Sequence, residues 1–373
     1  MTTALPAQSA CSAPSTSKGL KLVANGQFEW AETVPGELSP DEVIIEVVGC
    51  GVCHTDIGFA YEGIPTRHAL PLILGHEIAG QVVLAGEHAG SWLGRSVIVP
   101  AVIPCGDCDA CRGGRPTICR KQFMPGNDAD GGFATCVRVP ARGLCPVPEE
   151  LPKELTLAML SVIADAVTTP YEAIRRSGLN ADDVAVFVGV GGIGAFGVQI
   201  AAALGAAVVA IDVDADRLEL ASAHGAALAL NARECADVKS AVRSFARQSG
   251  RHGIGFKIFE TSGTPAGQQT AFSLLDPGAH LAIVGYTAQK VEVRLSNLMA
   301  FDATARGNWG CPPAQYPNAL AMVLEGKIHI QPFVEMHPLE EAQQVLEAVH
   351  HHQLRRRAVL VPQSRGIQQG TEL

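Results

Sequence analysis

The stretch VAVFVGVGGIGAFGVQIAAALGAAVVAID, Val184 to Asp212, is long and carries no charge before its last residue. Such a run fits a membrane-spanning helix, or a buried parallel strand followed by further apolar elements. Five glycines near its start, and Gly205 further on, break it into strand, turn, helix and strand. Gly189, Gly191 and Gly194 follow the apolar strand VAVFV in G-x-G-x-x-G spacing, with Gly192 inside the loop. The first glycine of such a loop permits a tight turn, the second lets backbone approach a pyrophosphate, and the third lets helix and strand pack closely. Free amides at the helix start then face the phosphate charge. In a chain with 39 glycines the spacing alone is weak. Its weight comes from Asp212 at the tip of the next strand, where a carboxylate accepts both hydroxyls of an adenosine ribose and repels a 2'-phosphate. The segment predicts a dinucleotide site that prefers NAD to NADP. Arg217 either flanks that ribose or is a solvated helix residue.

Downstream, AALALN, FKIFETSG and HLAIVGY are strand-like and separated by helix-length segments. That alternation predicts a doubly wound parallel sheet, an α/β domain over 167–308. Upstream of Pro148 the texture differs: DEVIIEVVGCG, AGQVVLAG, SVIVPAV and GGFATCVRVPA alternate and are punctuated by Gly and Pro. They predict an irregular β-barrel or sandwich over 19–166. The tail, 309–373, offers helices near Tyr316–Glu325 and Leu339–His350 and a last strand, RAVLVP, and is expected to return to the first domain. At 373 residues, two domains with a site in the cleft between them are expected. Residues 1–18 read as a flexible polar extension and not as a signal peptide, which implies a cytoplasmic protein with no membrane partner. With 28 basic and 37 acidic residues, a net charge of −9 and no basic stripe, nucleic acid is not an expected partner.

Four of the eleven cysteines, Cys105, Cys108, Cys111 and Cys119, crowd into CGDCDACRGGRPTIC. Four thiolates on one short lobe, 104–120, close a tetrahedral shell around zinc with no open position, a structural site. An iron–sulfur cluster and free thiols are the alternatives; a ferredoxin run has a Cys-Pro at shorter distance, whereas Cys119 precedes Arg120. Arg112, Arg115, Arg120 and Lys121 decorate the lobe as solvated charges or as contacts to an anionic substrate.

Cys53 in GVCHTD and His76 in LGHE, with the elements in this order, resemble the zinc-dependent medium-chain alcohol dehydrogenases. The resemblance covers nearly the whole chain after residue 18 and implies a GroES-like barrel domain, a Rossmann domain, NAD and two zinc ions per subunit. It places catalytic zinc on Cys53 and His76, Glu77 just behind, and Asp56 orienting His76. The same resemblance implies that Thr55 starts the proton path, His54 faces the cofactor phosphates, Thr169 lies beside the nicotinamide, and Arg357 contacts the pyrophosphate. Arg355 and Arg356 blur that last register. One departure is that IADAVTTPYEAI carries Asp165 where the family often has a third cysteine ligand. A carboxylate also binds zinc, so Asp165 is expected as third ligand, the competing reading being that Glu77 or water completes the shell. A second departure is Gly58, where many members have the histidine that ends the proton relay. Its absence is expected to open the mouth of the pocket and to send the proton to water or by way of His54.

A narrower resemblance, carried by MPGNDADGGF and GNWGCPPAQYP, is to the 6-hydroxycyclohex-1-ene-1-carbonyl-CoA dehydrogenases of anaerobic benzoyl-CoA degradation. It implies oxidation of an allylic ring alcohol on a CoA thioester, with water addition to the enone product as a further activity, and a homo-oligomer, dimer or tetramer. The alternatives are a zinc dehydrogenase of free cyclic, aryl or allylic alcohols, and a catalytically silent NAD-binding protein.

Overall fold

The computed structural model describes residues 16–363, apart from Pro35 and His252. The barrel half contains β1 (Ser17–Ala24), β2 (Gln27–Thr33), β3 (Glu42–Gly51), α1 (His54–Tyr61), β4 (Leu72–Ile73), β5 (Glu77–Ala85), β6 (Ser96–Val99), α2 (Asp109–Arg112), β7 (Cys136–Pro140) and β8 (Cys145–Pro146). The parallel half runs α3 (Thr168–Ser177), β9 (Val184–Val188), α4 (Gly194–Ala203), β10 (Ala207–Asp212), α5 (Ala215–Ala223), β11 (Leu228–Asn231), α6 (Val238–Gln248), β12 (Lys257–Glu260), α7 (Pro265–Ser273), β13 (His280–Ile283), α8 (Ser296–Ala300) and β14 (Thr304–Gly307). The tail adds α9 (Tyr316–Leu324), β15 (Val334–Pro338), α10 (Ala342–His350) and β16 (Arg357–Val361).

The six parallel strands lie in the order β11-β10-β9-β12-β13-β14, which reverses direction at β9. In such sheets ligands bind beyond the carboxyl ends of the strands at the reversal point, here the glycine loop between β9 and α4. Every residue of β9 and β10 is buried, because helices cover both faces of the sheet. Gly194 opens α4 directly against β9, and a side chain there would collide with the Gly189 carbonyl.

The barrel sheet follows β15-β16-β3-β5-β6-β8, with β7 also paired to β3, and a smaller sheet orders β2-β1-β4. The tail returns to this half: β16 lies antiparallel to β3 through Val359 opposite Gly51 and Leu360 opposite Cys50. A 3-10 turn, Met159–Ala164, is buried from Leu160 onward and carries the chain from barrel to parallel half, delivering Asp165 at its end. Tyr316 of α9 holds that turn in place. Its hydroxyl donates to Ala164 O at 2.5 Å and accepts from Ala101 N at 3.1 Å, and the side chain is fully buried.

Two features depart from the sequence expectations, the start of β1 and a sixth parallel strand, and one expectation is met. Ser17 and Lys18, assigned to the extension, begin β1, while residues 1–15 lie outside the described residues. The apolar run around the glycines is strand, loop, helix and strand, and among the described residues no helix is long and apolar enough to cross a membrane. The sheet has a sixth strand, β14, which no apolar run announces because all four of its residues are exposed.

Replacing Tyr316 with Phe leaves the buried Ala101 N–H without a partner and leaves Ala164 O with the Thr168 hydroxyl alone. The expected cost is about 1–3 kcal/mol of stability, read as a lower urea midpoint at unchanged slope.

Candidate active site and two candidate metal centres

The turn after β3 builds the first centre. Cys53 caps α1, and the Asp56 carboxylate reaches back to accept its backbone N–H at 2.9 Å. The other Asp56 oxygen accepts from Gly75 N and from His76 Nδ1, both at 3.2 Å. One fully buried acid thus fixes both the helix start and the imidazole. With Nδ1 engaged, His76 turns Nε2 toward Asp165 Oδ2, 3.7 Å away, and Cys53 Sγ lies 3.6 Å from the same oxygen. Asp165 is oriented in turn by the Thr169 hydroxyl, which donates to its Oδ1. Cys53, His76, Glu77 and Asp165 each place a ligand atom within 4.8 Å of the others.

Electrostatics shows what this cluster lacks. Burial disfavours charge on His76, yet Asp56 and Asp165 raise its pKa well above the usual imidazole range. Burial would raise Asp165, but His76, Thr169 and Arg357 hold it down at about 2. A thiol, an imidazole and a carboxylate converging in a buried place call for a cation, and a metal ion satisfies the donors that a shared proton otherwise serves. This donor set fits zinc with one position left open.

Glu77 stands apart from that triad. Both of its oxygens are taken by Arg357, at 2.8 Å from Nε and by a second bond from Nη2. Burial pushes Glu77 up to about 7 against the pull of Arg357. Gly51 is required beneath it, since a side chain there would collide with the Glu77 carboxylate. Arg357, not Arg355 or Arg356, points inward: Arg355 is exposed and pairs with Asp216 at 2.8 Å, and Arg356 is exposed.

Arg357 also reaches the glycine loop, where a side chain on Gly192 would meet its guanidinium at 2.7 Å. Gly191 faces Arg217 in the same way at 3.3 Å. His54, at the start of α1, stacks on His352 with ring centroids 5.8 Å apart. Partial desolvation, then the charges of Arg357, His352 and Arg217, lower its pKa to about 4. Two guanidinium groups and an imidazole therefore gather over the glycine loop, the place a pyrophosphate takes. Asp212 ends β10, its carboxylate accepting from Val190 N at 2.8 Å, Val213 N at 2.7 Å and Asp214 N at 3.1 Å. Thr55 is half-buried, its hydroxyl 3.7 Å from Cys53 Sγ.

The expectation for Gly58 needs correction. It is buried, and an added side chain would meet Ile64 Cδ1 at 2.6 Å, so Ile64 fills the space that was expected to be open.

In the cysteine lobe the sulfur separations are 3.9 Å for Cys105–Cys111, 3.5 Å for Cys108–Cys111, 3.7 Å for Cys108–Cys119 and 3.5 Å for Cys105–Cys119. These are far longer than a disulfide bond. They match a tetrahedron with metal–sulfur bonds of about 2.3 Å, whose edges are about 3.8 Å. The four thiols therefore fit a closed zinc site.

Residues 39–149 match the model of the alcohol dehydrogenase GroES-like domain, and residues 192–325 that of the zinc-binding dehydrogenases. An alcohol dehydrogenase of Geobacillus stearothermophilus is 30% identical over 89% of this chain and 95% of its own. The chain belongs to the zinc-type alcohol dehydrogenase family. Its fold is also that of galactitol-1-phosphate dehydrogenase from Escherichia coli, with TM-score 0.83 and 25% identity over 92% of this chain and all of that one. The alcohol dehydrogenase TADH from Thermus sp. ATN1 gives TM-score 0.82 and 26% identity, covering 93% of this chain and 100% of that one. The dehydrogenase is thus an oxidoreductase that works with a nicotinamide dinucleotide and zinc.

Two outcomes are expected. Asp165→Ala should lower the zinc content measured by elemental analysis from two ions per chain to one, the ion of the four cysteines remaining; two retained ions would place the third donor elsewhere. Arg357→Ala leaves Glu77 buried without its partner and should cost about 3–5 kcal/mol in denaturant unfolding, whereas Arg355→Ala should change little.

Proposed function

We propose that this dehydrogenase oxidises a secondary allylic ring alcohol with NAD, the substrate being 6-hydroxycyclohex-1-ene-1-carbonyl-CoA and the product the 6-oxo enone. The observation that carries the reaction is the convergence of Cys53, His76 and Asp165 below a dinucleotide loop crowned by Arg217 and Arg357. The narrower substrate rests on the segments MPGNDADGGF and GNWGCPPAQYP.

In this reading Cys53, His76 and Asp165 hold the catalytic zinc, and Cys105, Cys108, Cys111 and Cys119 the structural one. Bound zinc supplies a Lewis acid that lowers the alcohol's pKa, and NAD supplies the hydride acceptor. Asp56 keeps His76 Nδ1 protonated so that Nε2 remains a donor. Thr169 orients Asp165 by donating to it. The Thr55 hydroxyl would accept the alcohol's proton while passing its own outward, to water or by way of the exposed His54. Arg357 and Arg217 neutralise the pyrophosphate above the glycine loop, the first of them anchored by Glu77. Asp212 accepts from the adenosine ribose with the lone pairs that its three backbone contacts leave free, and repels a 2'-phosphate, which favours NAD. The enone product is open to water addition in the same pocket.

NADH formation should be measured with the ring-hydroxy CoA thioester, the free hydroxy acid and simple cyclic alcohols. The thioester is expected to be preferred by far in kcat/KM. Equal rates on all three would overturn the CoA assignment and leave a dehydrogenase of free alcohols.

A further inference from the structure

The segment MPGNDADGGF, residues 124–133, supplies no group to the hydride chemistry, yet it joins two parts of the site. Its second half lies against the backbone that leads into His76. Gly131 N donates to Ile73 O at 2.8 Å, Gly132 N to Gly75 O at 2.8 Å and Phe133 N to Leu74 O at 3.0 Å. The Asp130 carboxylate accepts from Ile73 N at 2.9 Å. A side chain on Gly131 would stand 2.3 Å from the Gly75 carbonyl, so the two backbones meet with no space between them.

The first half grips a different stretch, residues 62–70. Asn127 is 7% exposed; its side-chain oxygen accepts from Arg67 N at 2.9 Å and its backbone carbonyl from His68 N at 2.8 Å. Asp128 accepts from Arg67 Nη2 at 2.7 Å and from Met124 N at 2.7 Å. That ion pair lies at the surface and adds little, so the buried carboxamide carries the attachment. No helix or strand spans 62–70 and most of its residues are exposed, which makes its position depend on the few bonds that fix it. The Thr66 hydroxyl, bonded to His68 O, shapes the stretch without placing it.

The same stretch covers α1. Ile64 N donates to Gly58 O at 3.2 Å, and Ile64 Cδ1 stands 2.6 Å from where a Gly58 side chain would begin. Gly58 follows Thr55 by one helical turn, on the same side of α1. Ile64 is half-buried, so part of its side chain faces open space beside the hydroxyl that accepts the alcohol's proton.

We propose that Asn127 is a positioning residue that sets the size of the alcohol pocket, holding residues 62–70 so that Ile64 lies across Gly58. This rests on alcohol oxidation beside Thr55 and not on the CoA thioester.

The test uses the zinc-loaded enzyme with NAD and two ring alcohols of different bulk, cyclohex-2-enol and the fused two-ring 1-tetralol. Each is measured as a substrate or, where only the thioester is oxidised, as a competitive inhibitor against it. Ile64→Ala should raise the preference for 1-tetralol by about tenfold or more, the range that a methylene or two of misfit commands in a pocket. Asn127→Ala should move the preference the same way, and the double variant should match Ile64→Ala alone, because Asn127 acts through Ile64. Asn127→Asp, which keeps an acceptor for Arg67 N, should stay near the unmodified enzyme. If Asn127→Ala does not fold, Asn127→Ser, whose oxygen is one bond shorter, takes its place. An unchanged preference in the Ala or Ser variant, or effects that add in the double variant, overturns the role of Asn127 and leaves the proposed function standing. Oxidation of neither alcohol nor thioester overturns both.

Discussion

A buried cluster of donors without a compensating charge is the constraint around which the rest of the molecule is arranged. Cys53, His76 and Asp165 come from three separate segments and meet where water has been removed. Such a cluster is tolerable only if a cation completes it and if every neighbouring polar group is satisfied. Asp56 serves the helix start, the Gly75 amide and His76 at once. Thr169 fixes Asp165 from the helix that follows, and Tyr316 pins the turn that precedes it. Each of these groups holds in place a donor of the cluster or the turn that delivers one.

The same constraint explains why the tail returns. Glu77 follows His76 directly in sequence and is fully buried, so it needs a cation of its own. Arg357, at the start of the last strand, supplies it and in the same move projects over the glycine loop. The pair joins the barrel, the tail and the dinucleotide loop across 280 residues of sequence. Pairing of the last strand with β3 is therefore what brings Arg357 both to Glu77 and to the glycine loop.

Much of this was legible in the sequence, and particular residues show where legibility ended. The glycine spacing, the apolar strands and Asp212 announced the parallel sheet because buried parallel strands must be apolar throughout. The cysteine spacing announced a tetrahedral site because four thiolates on a short lobe can close one. Strand β14 was silent, since an edge strand exposed along its length carries no burial pattern. Asn127 and Tyr316 were silent as well: their work consists of hydrogen bonds to distant backbone groups, which no local spacing encodes. Gly58 misled, because an absent side chain reads as open space until a residue elsewhere, here Ile64, is seen to fill it. The commitment of Glu77 to Arg357, which leaves Asp165 as the freer carboxylate, is a fact of three-dimensional pairing alone.

The most direct measurement is the anomalous difference density at the zinc absorption edge in crystals of the purified enzyme. A peak bounded by Cys53 Sγ, His76 Nε2 and an Asp165 oxygen, with Glu77 still paired to Arg357, is the expected result. A peak ligated by Glu77 with Arg357 displaced, or no peak beyond the four-cysteine lobe, would contradict it.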